Sequence, residues 1–272
     1  MIPATFDYQR ASSADEAVSL LQQHGDDAKL LAGGHSLIPL LRFRLATPAV
    51  LVDVGRLHEL SYVRDAGDHV AIGALTRHRD LEISDVARAE VPILSHVAAQ
   101  VGDPQVRHRG TIGGSIAHGD PASDLPAAVL ALDGTLVARG PGGERQIPAT
   151  EFFRGFLETA LAPDELLTEI RVPKARGGWS FQKFNRRAQD WAIVGVAAVA
   201  NGATRVALVN MGPTPVRATA TEQALAGGAS AADAAARAAE GTEPSADLNA
   251  SVEYRRHLAT VLVRRALEEA GG

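Results

Sequence analysis

Cysteine is absent from the 272 residues of this sequence. Without cysteine the chain forms no disulfide bond, and it holds neither a cysteine-ligated zinc ion nor an iron–sulfur cluster of its own. Any electron-transfer cluster or thiol chemistry associated with this protein must therefore reside in another polypeptide.

An excess of basic residues is also missing. The sequence has 27 Lys and Arg against 32 Asp and Glu, a formal net charge of −5. Because nucleic-acid binding requires a face rich in Lys and Arg, this balance excludes nucleic acid as a partner. The longest apolar run, Ile193 to Ala200, is far too short to cross a bilayer, and the first residues lack the pattern of a secretory signal. We expect a soluble, cytoplasmic protein with no transmembrane segment.

Two glycine-rich segments are the most informative features present. The first is Leu30 to Leu37, which contains Gly33-Gly34, and the second is Gly110 to Asp124, which contains Gly113-Gly114. Glycine lets a ligand approach bare backbone N–H groups, and successive N–H groups form a concave anion site. Two such segments in one chain favour one large ligand held at two points, for which a diphosphate is suitable. The alternative is that both are ordinary turns.

Common nucleotide and catalytic motifs do not match these segments. Neither segment has the G-x-G-x-x-G spacing of a dinucleotide-binding fold or the Gly-Lys-Ser/Thr of a P-loop. Neither Ser36 nor Ser115 lies in the G-x-S-x-G motif of a nucleophilic serine. His108, His118 and Asp120 lack the spacing of a metal site on one element. His35 and His118 either lie near the ligand or are loop histidines bonded to backbone. The pattern predicts ligand binding without catalytic side chains, as expected when a cofactor supplies the chemistry.

Periodicity and turn signals predict an α+β fold. A capping box at Ser13 to Glu16 starts a helix that ends near Gly25, and Ser123 or Asp124 caps another that runs to Leu132. The other predicted elements of the first part are strands at 29–32, 50–54 and 70–74, a helix over 91–101, and a hairpin of 135–138 with 145–147.

The pattern changes at Gly177-Gly178, which we take as a domain boundary between residues 1–176 and 177–272. Three strands over 181–184, 191–200 and 205–211 are followed by Ala-rich helices over 221–225, 230–240 and 252–270. Strands followed by helices are typical of α+β domains and not of a doubly wound sheet. We therefore expect a smaller second domain made of a three-stranded antiparallel sheet and a helical bundle.

Short motifs along nearly the whole chain resemble one family, the FAD-binding medium subunits of the molybdenum hydroxylases, which include xanthine dehydrogenase and aerobic carbon monoxide dehydrogenase. The resemblance is carried by the following segments: Phe6 to Tyr8, Ala32 to Ser36, Ile72 to Thr76, Arg107 to Ser115, Asp120 to Asp124, Glu165 to Pro173 and Glu253 to Leu258. It implies a two-part FAD-binding domain of the PCMH type followed by a smaller domain.

The resemblance also implies which residues contact FAD. Ala32, Gly33, Gly34, His35 and Ser36 match the first pyrophosphate loop. Thr111, Gly113, Gly114 and Ser115 match the second, with the two hydroxyl groups on phosphate oxygens. Asp124 matches an acid near the ribose or ribityl hydroxyls; it could instead cap a helix, and the two roles are not exclusive. Leu167 and Lys183 match positions near the isoalloxazine. Trp191 stands where carbon monoxide dehydrogenase-type subunits have a tyrosine that shields the flavin.

The implied function is electron transfer inside a larger enzyme. A small subunit with two [2Fe–2S] clusters and a large subunit with the molybdenum cofactor are the expected partners, in a dimer of heterotrimers. Electrons would pass from the clusters through FAD to quinone, NAD or oxygen. Two alternatives stay open, namely a free-standing FAD oxidoreductase of the same superfamily and a nucleotide-binding module without redox activity.

Overall fold

Within residues 2–271, which a computed structural model describes, the chain forms fourteen strands and twelve α-helices. The strands are β1 (Asp7–Arg10), β2 (Ala28–Leu31), β3 (Val50–Asp53), β4 (Val63–Asp65), β5 (His69–Gly73), β6 (Thr135–Gly140), β7 (Gly143–Pro148), β8 (Phe153–Gly155), β9 (Glu158–Thr159), β10 (Leu166–Pro173), β11 (Gly178–Phe184), β12 (Val194–Asn201), β13 (Ala203–Val209) and β14 (Val216–Arg217). The helices are α1 (Ala14–His24), α2 (Leu37–Phe43), α3 (His78–Ile83), α4 (Asp85–Glu90), α5 (Pro92–Ala99), α6 (Pro104–Arg109), α7 (Ile112–His118), α8 (Asp124–Ala131), α9 (Ala149–Phe152), α10 (Thr219–Ala226), α11 (Ala231–Ala235) and α12 (Val252–Ala270).

Three sheets organise these elements. The first is parallel, in the order β1-β3-β2, and is packed on α1. The second has five strands in the order β4-β5-β10-β6-β7, and all its pairings are antiparallel. The third is antiparallel, in the order β11-β12-β13-β14. A small ribbon of β8 and β9 completes the set. The predicted α+β class is confirmed.

The third sheet is covered on both faces, which explains its continuous apolar sequence. On one face, Ala197 and Val199 of β12 join the large core of the second sheet. On the other, Val196 and Ala198 pack in a separate core with α12. A strand buried on both sides shows an unbroken apolar run instead of alternation.

Helix α8 connects the two parts of the molecule. All eight of its residues are buried. It packs on α5 on one side and on β12 and β13 on the other. Apart from Asp124, α8 is apolar on every side, and such a helix is stable only inside a core. Helix α8 therefore holds the third sheet against the rest of the fold.

Most predicted elements are present, with small shifts at their ends. The capping box is present in part: the Ser13 hydroxyl accepts a hydrogen bond from the Glu16 amide at 3.1 Å, whereas the Glu16 carboxylate accepts the amide of Ser12 at 2.7 Å and not that of the N-cap Ser13. Three predictions are wrong in detail. The helix expected over 230–240 is shorter, Ala231–Ala235, and turns follow it. The strand expected from Trp191 begins at Val194, and the third sheet gains the short fourth strand β14.

The role of α8 predicts a large cost for truncating Leu125, which is completely buried. Leu125→Ala should lower the free energy of unfolding by about 2–5 kcal/mol through lost burial and a cavity. Leu248→Ala, at a side chain that is fully exposed, is the matched control and should change it by less than about 0.5 kcal/mol. Urea unfolding followed by circular dichroism measures both. Equal values for the two variants would contradict the proposed role of α8.

Candidate functional site

The first glycine segment leaves the parallel sheet at the end of β2 and makes a tight turn into α2. Gly34 has a φ of 78°, in the left-handed region that side chains rarely adopt. Its carbonyl accepts the amide of Ile38 at 2.9 Å, which closes the turn. His35 is exposed, and Ser36 is the N-cap of α2 without a side-chain capping bond. The segment is thus a turn with an exposed His35 and a serine hydroxyl that does not cap the helix.

The second glycine segment is a helix start and not the loop that the sequence suggests. Residues Ile112–His118 form α7, and Thr111 is its N-cap, whose hydroxyl oxygen accepts the Gly114 amide at 3.1 Å. Gly113 lies against β5, where its amide donates to the Ala74 carbonyl at 2.8 Å. A Cβ on Gly113 would lie 2.8 Å from Ala74 Cα. Gly113 is therefore required for packing, while Gly114 and Ser115 stay partly exposed.

The two glycine segments touch each other. A Cβ on Gly33 would collide with the Arg109 carbonyl oxygen and would lie 2.9 Å from Gly110 Cα. Real Cβ atoms do not come this close to backbone atoms, so only glycine permits the contact. Segments about 80 residues apart in the sequence thus form one continuous backbone surface.

Asp124 and Lys183 form a buried ion pair between α8 and β11. Asp124 Oδ2 and Lys183 Nζ are 2.6 Å apart, and each side chain is 6% exposed. The ammonium also donates to the Gln100 carbonyl at 3.1 Å. Burial raises the pKa of Asp124 to about 6, although the Lys183 charge opposes that shift. Within residues 2–271, Asp124 Oδ1 is buried without a hydrogen-bond partner, so it is available to a ligand hydroxyl.

Leu167 and Trp191 lie in different environments. Leu167, on β10, is buried in the large core. Trp191 is 60% exposed and lines a cavity of about 630 Å³ between the two parts of the molecule. Asp120 to Ala122, directly after α7, form one wall, and Asn210 and Arg255 belong to the other. A volume of this size accommodates a planar cofactor ring or a small ligand.

Sequence reasoning missed His78, because the basic cluster Arg77 to Arg79 is more typical of a solvated helix start than of a ligand-binding group. His78 is 4% exposed, and its backbone amide donates to the Gly110 carbonyl at 3.0 Å. Burial first, and then the nearby positive charges, lower the pKa of His78 to about 4. The ring is therefore neutral at pH 7. The signal that could have identified it is the adjacent motif Ile72 to Thr76, which pairs with the second glycine segment.

These features fit FAD. Gly33, Gly34 and Gly114 are only partly buried and have no side chain to keep a diphosphate from the backbone, and the unpartnered Oδ1 of Asp124 fits a sugar hydroxyl group. No group of three or more His, Asp or Glu residues within residues 2–271 is arranged to hold a metal ion. No helix in the same range is long and apolar enough to cross a membrane.

The buried pair leads to a testable expectation. Asp124→Asn or Lys183→Met should each lower the free energy of unfolding by about 3–5 kcal/mol, because each leaves one buried group uncompensated. The double variant should lower the free energy of unfolding by much less than the sum of the two single changes. Urea unfolding of the full chain, with the three variants in the same flavin state, measures this cycle. Additive costs would contradict a direct interaction.

Family comparisons agree along the whole chain. A family model described as the FAD binding domain in molybdopterin dehydrogenase matches residues 4–175. A second model, the CO dehydrogenase flavoprotein C-terminal domain, matches residues 179–270. Together they account for nearly all of the described residues.

Individual relatives and structures give the same result. The carbon monoxide dehydrogenase medium chain of Hydrogenophaga pseudoflava is 44% identical over 99% of this chain and 98% of its own length. The 6-hydroxypseudooxynicotine dehydrogenase complex subunit alpha of Paenarthrobacter nicotinovorans is 39% identical over 99% of this chain and 96% of its own.

Among solved structures, carbon monoxide dehydrogenase from Hydrogenophaga pseudoflava aligns with a TM-score of 0.95 and 45% identity, covering 100% of this chain and 99% of that chain. Quinoline 2-oxidoreductase from Pseudomonas putida 86 aligns with a TM-score of 0.92 and 33% identity, covering 99% of this chain and 98% of that chain. The chain belongs to the family of FAD-binding medium subunits of the molybdenum hydroxylases.

Proposed function

We propose that this chain is the FAD-binding electron-transfer subunit of a carbon monoxide dehydrogenase-like hydroxylase. The observation that carries this proposal is the contact of Gly33 with Arg109 and Gly110. It joins two glycine segments into one surface, on which a single diphosphate could contact both. FAD bound there supplies reversible redox chemistry that none of this chain's side chains provides.

Each element has a distinct task in this proposal. Residues Ala32 to Ser36 and the partly exposed Gly114 and Ser115 hold the diphosphate between them, while Thr111 and Gly113 hold the start of α7 in place. The buried Asp124 carboxylate accepts a hydrogen bond from a sugar or ribityl hydroxyl through its unpartnered Oδ1, and Lys183 keeps that carboxylate oriented. Trp191 covers one face of the ring inside the cavity between the two parts of the molecule. Leu167 supports the site from the core.

The absence of cysteine assigns the remaining chemistry to partner subunits. A small subunit with [2Fe–2S] clusters would deliver electrons, and a large subunit with the molybdenum cofactor would oxidise the substrate. We propose a dimer of such heterotrimers, located in the cytoplasm, with domains at residues 1–176 and 177–272. Medium subunits of this family vary in the substrate of their complexes, as the relatives that act on nicotine derivatives and caffeine illustrate.

Coexpression with its genomic neighbours tests this function. The tagged chain should copurify with a molybdenum subunit and an iron–sulfur subunit, and the chromophore released on denaturation should migrate as FAD and not as FMN. Metal analysis of the complex should find molybdenum and iron. Recovery of no flavin from such a preparation contradicts the proposal. Turnover of a substrate by the isolated chain would favour the free-standing oxidoreductase.

The conformation of Gly34 predicts a specific loss of flavin. Gly34→Val should raise the Kd for FAD by about tenfold or more. A side chain in the left-handed region strains the backbone by about 1–2 kcal/mol, and opening the turn is the easiest way to relieve that strain. Gly228→Val is the matched control, since Gly228 has a φ of 84° in an open turn remote from the glycine segments. Flavin fluorescence titration measures both. Equal Kd values for the two variants would show that the first segment is only a turn.

A further inference from the structure

A strip of backbone from Ala74 to His78 holds the second glycine segment in place. The Gly113 amide donates to the Ala74 carbonyl at 2.8 Å, and the Ile112 amide donates to the Thr76 carbonyl at 3.0 Å. In the opposite direction, the His78 amide donates to the Gly110 carbonyl at 3.0 Å. These bonds form a short antiparallel pairing centred on Arg77 and Thr111. The position of the second segment therefore depends on this strip.

The Arg77 side chain extends the same pairing to the contact between the two segments. Its Nη1 donates a hydrogen bond to the Arg109 carbonyl oxygen. That oxygen is the atom with which a Cβ on Gly33 would collide. One guanidinium thus binds the peptide against which the first glycine segment rests.

The charges around Arg77 are consistent with an anion beside it. The side chain is half-buried, and burial together with repulsion from Arg109 lowers the pKa of the Arg77 guanidinium. The carboxylates of Asp53 and Asp80 compensate this in part. A diphosphate near the contact would relieve the repulsion between the two arginines. Within residues 2–271, Nη1 is the atom of this guanidinium that hydrogen-bonds to protein, which leaves its other N–H groups available.

We propose that Arg77 is a positioning residue for FAD, which fixes the two glycine segments in the mutual arrangement that the diphosphate requires. It acts by orienting the Arg109 peptide against Gly33 and by joining that peptide to the strip of residues 74–78. The inference rests on the proposed function, since it assumes that both segments bind the same FAD.

The shape of the side chain matters as well as its charge. A guanidinium is planar and rigid, and it presents several N–H groups in a fixed fork. A lysine ammonium carries the same charge as a compact point on a flexible stem. Lysine should therefore retain attraction for the diphosphate but should not orient the Arg109 peptide as well.

Three variants of the full chain test the proposal. Arg77→Met removes the charge and the hydrogen bond, and Arg77→Lys keeps the charge. Arg88→Met is the matched control, because Arg88, on α4, also donates from its guanidinium to a backbone carbonyl, that of Glu82 on α3 at 3.2 Å. For each FAD-free chain we would measure the Kd for FAD, the thermal unfolding midpoint and amide hydrogen exchange.

We expect Arg77→Met to raise the Kd for FAD at least tenfold. Arg77→Lys should bind FAD several-fold more weakly than the wild-type chain. Exchange should rise at Ile112 and Gly113, while the unfolding midpoint of the FAD-free chain falls no more than in Arg88→Met. A wild-type Kd in Arg77→Met overturns the inference, as does a wild-type Kd in Arg77→Lys, which would assign Arg77 a purely electrostatic role. A lower thermal unfolding midpoint of Arg77→Met together with faster amide exchange throughout the chain also overturns it. Failure of the wild-type chain to bind FAD would contradict the proposed function instead.

Discussion

Close approach of main chain to main chain is the constraint on which the rest of this structure depends. A Cβ on Gly73 would collide with the Leu60 carbonyl, one on Gly113 would collide with Ala74, and one on Gly33 would collide with the Arg109 carbonyl. Four backbone segments are therefore stacked with no side chain between them. Such a stack brings the first glycine segment against the start of the second, so that two distant parts of the sequence form one surface.

The second organising feature is the junction between the two parts of the molecule. Helix α8 begins at Asp124, the last residue of the second glycine segment, and it packs directly on the third sheet. The Asp124–Lys183 pair lies in this junction, as do the cavity beside Trp191 and the hydrogen bond from the Asn210 amide to the Pro121 carbonyl at 2.8 Å. The residues that we expect to contact the cofactor therefore belong to both parts of the molecule.

Much of the fold was accessible from the sequence because its signals are local. The helix cap at Ser13, the apolar strands and the turn at Asn201-Gly202, a dipeptide that favours hairpins, depend on neighbouring residues, and the structure has all three. The errors arose where local signals were equivocal. The pair Gly113-Gly114 is typical of a loop in the sequence, yet it lies at the start of α7, because Thr111 caps that helix and Gly113 packs on Ala74. The charges of Arg77 to Arg79 are typical of a solvated helix start, yet His78 is buried against Gly110 of the second glycine segment.

By itself the sequence determined the α+β class, the absence of any cysteine-bound cluster and the two glycine segments that point to a diphosphate. Each follows from residue identity or short-range spacing, which an isolated stretch of chain already contains. Only the tertiary structure decided that the two segments touch, that Asp124 pairs with Lys183 and that Arg77 binds the Arg109 carbonyl. These are contacts between residues distant in sequence, and they depend on how the sheets and α8 pack together.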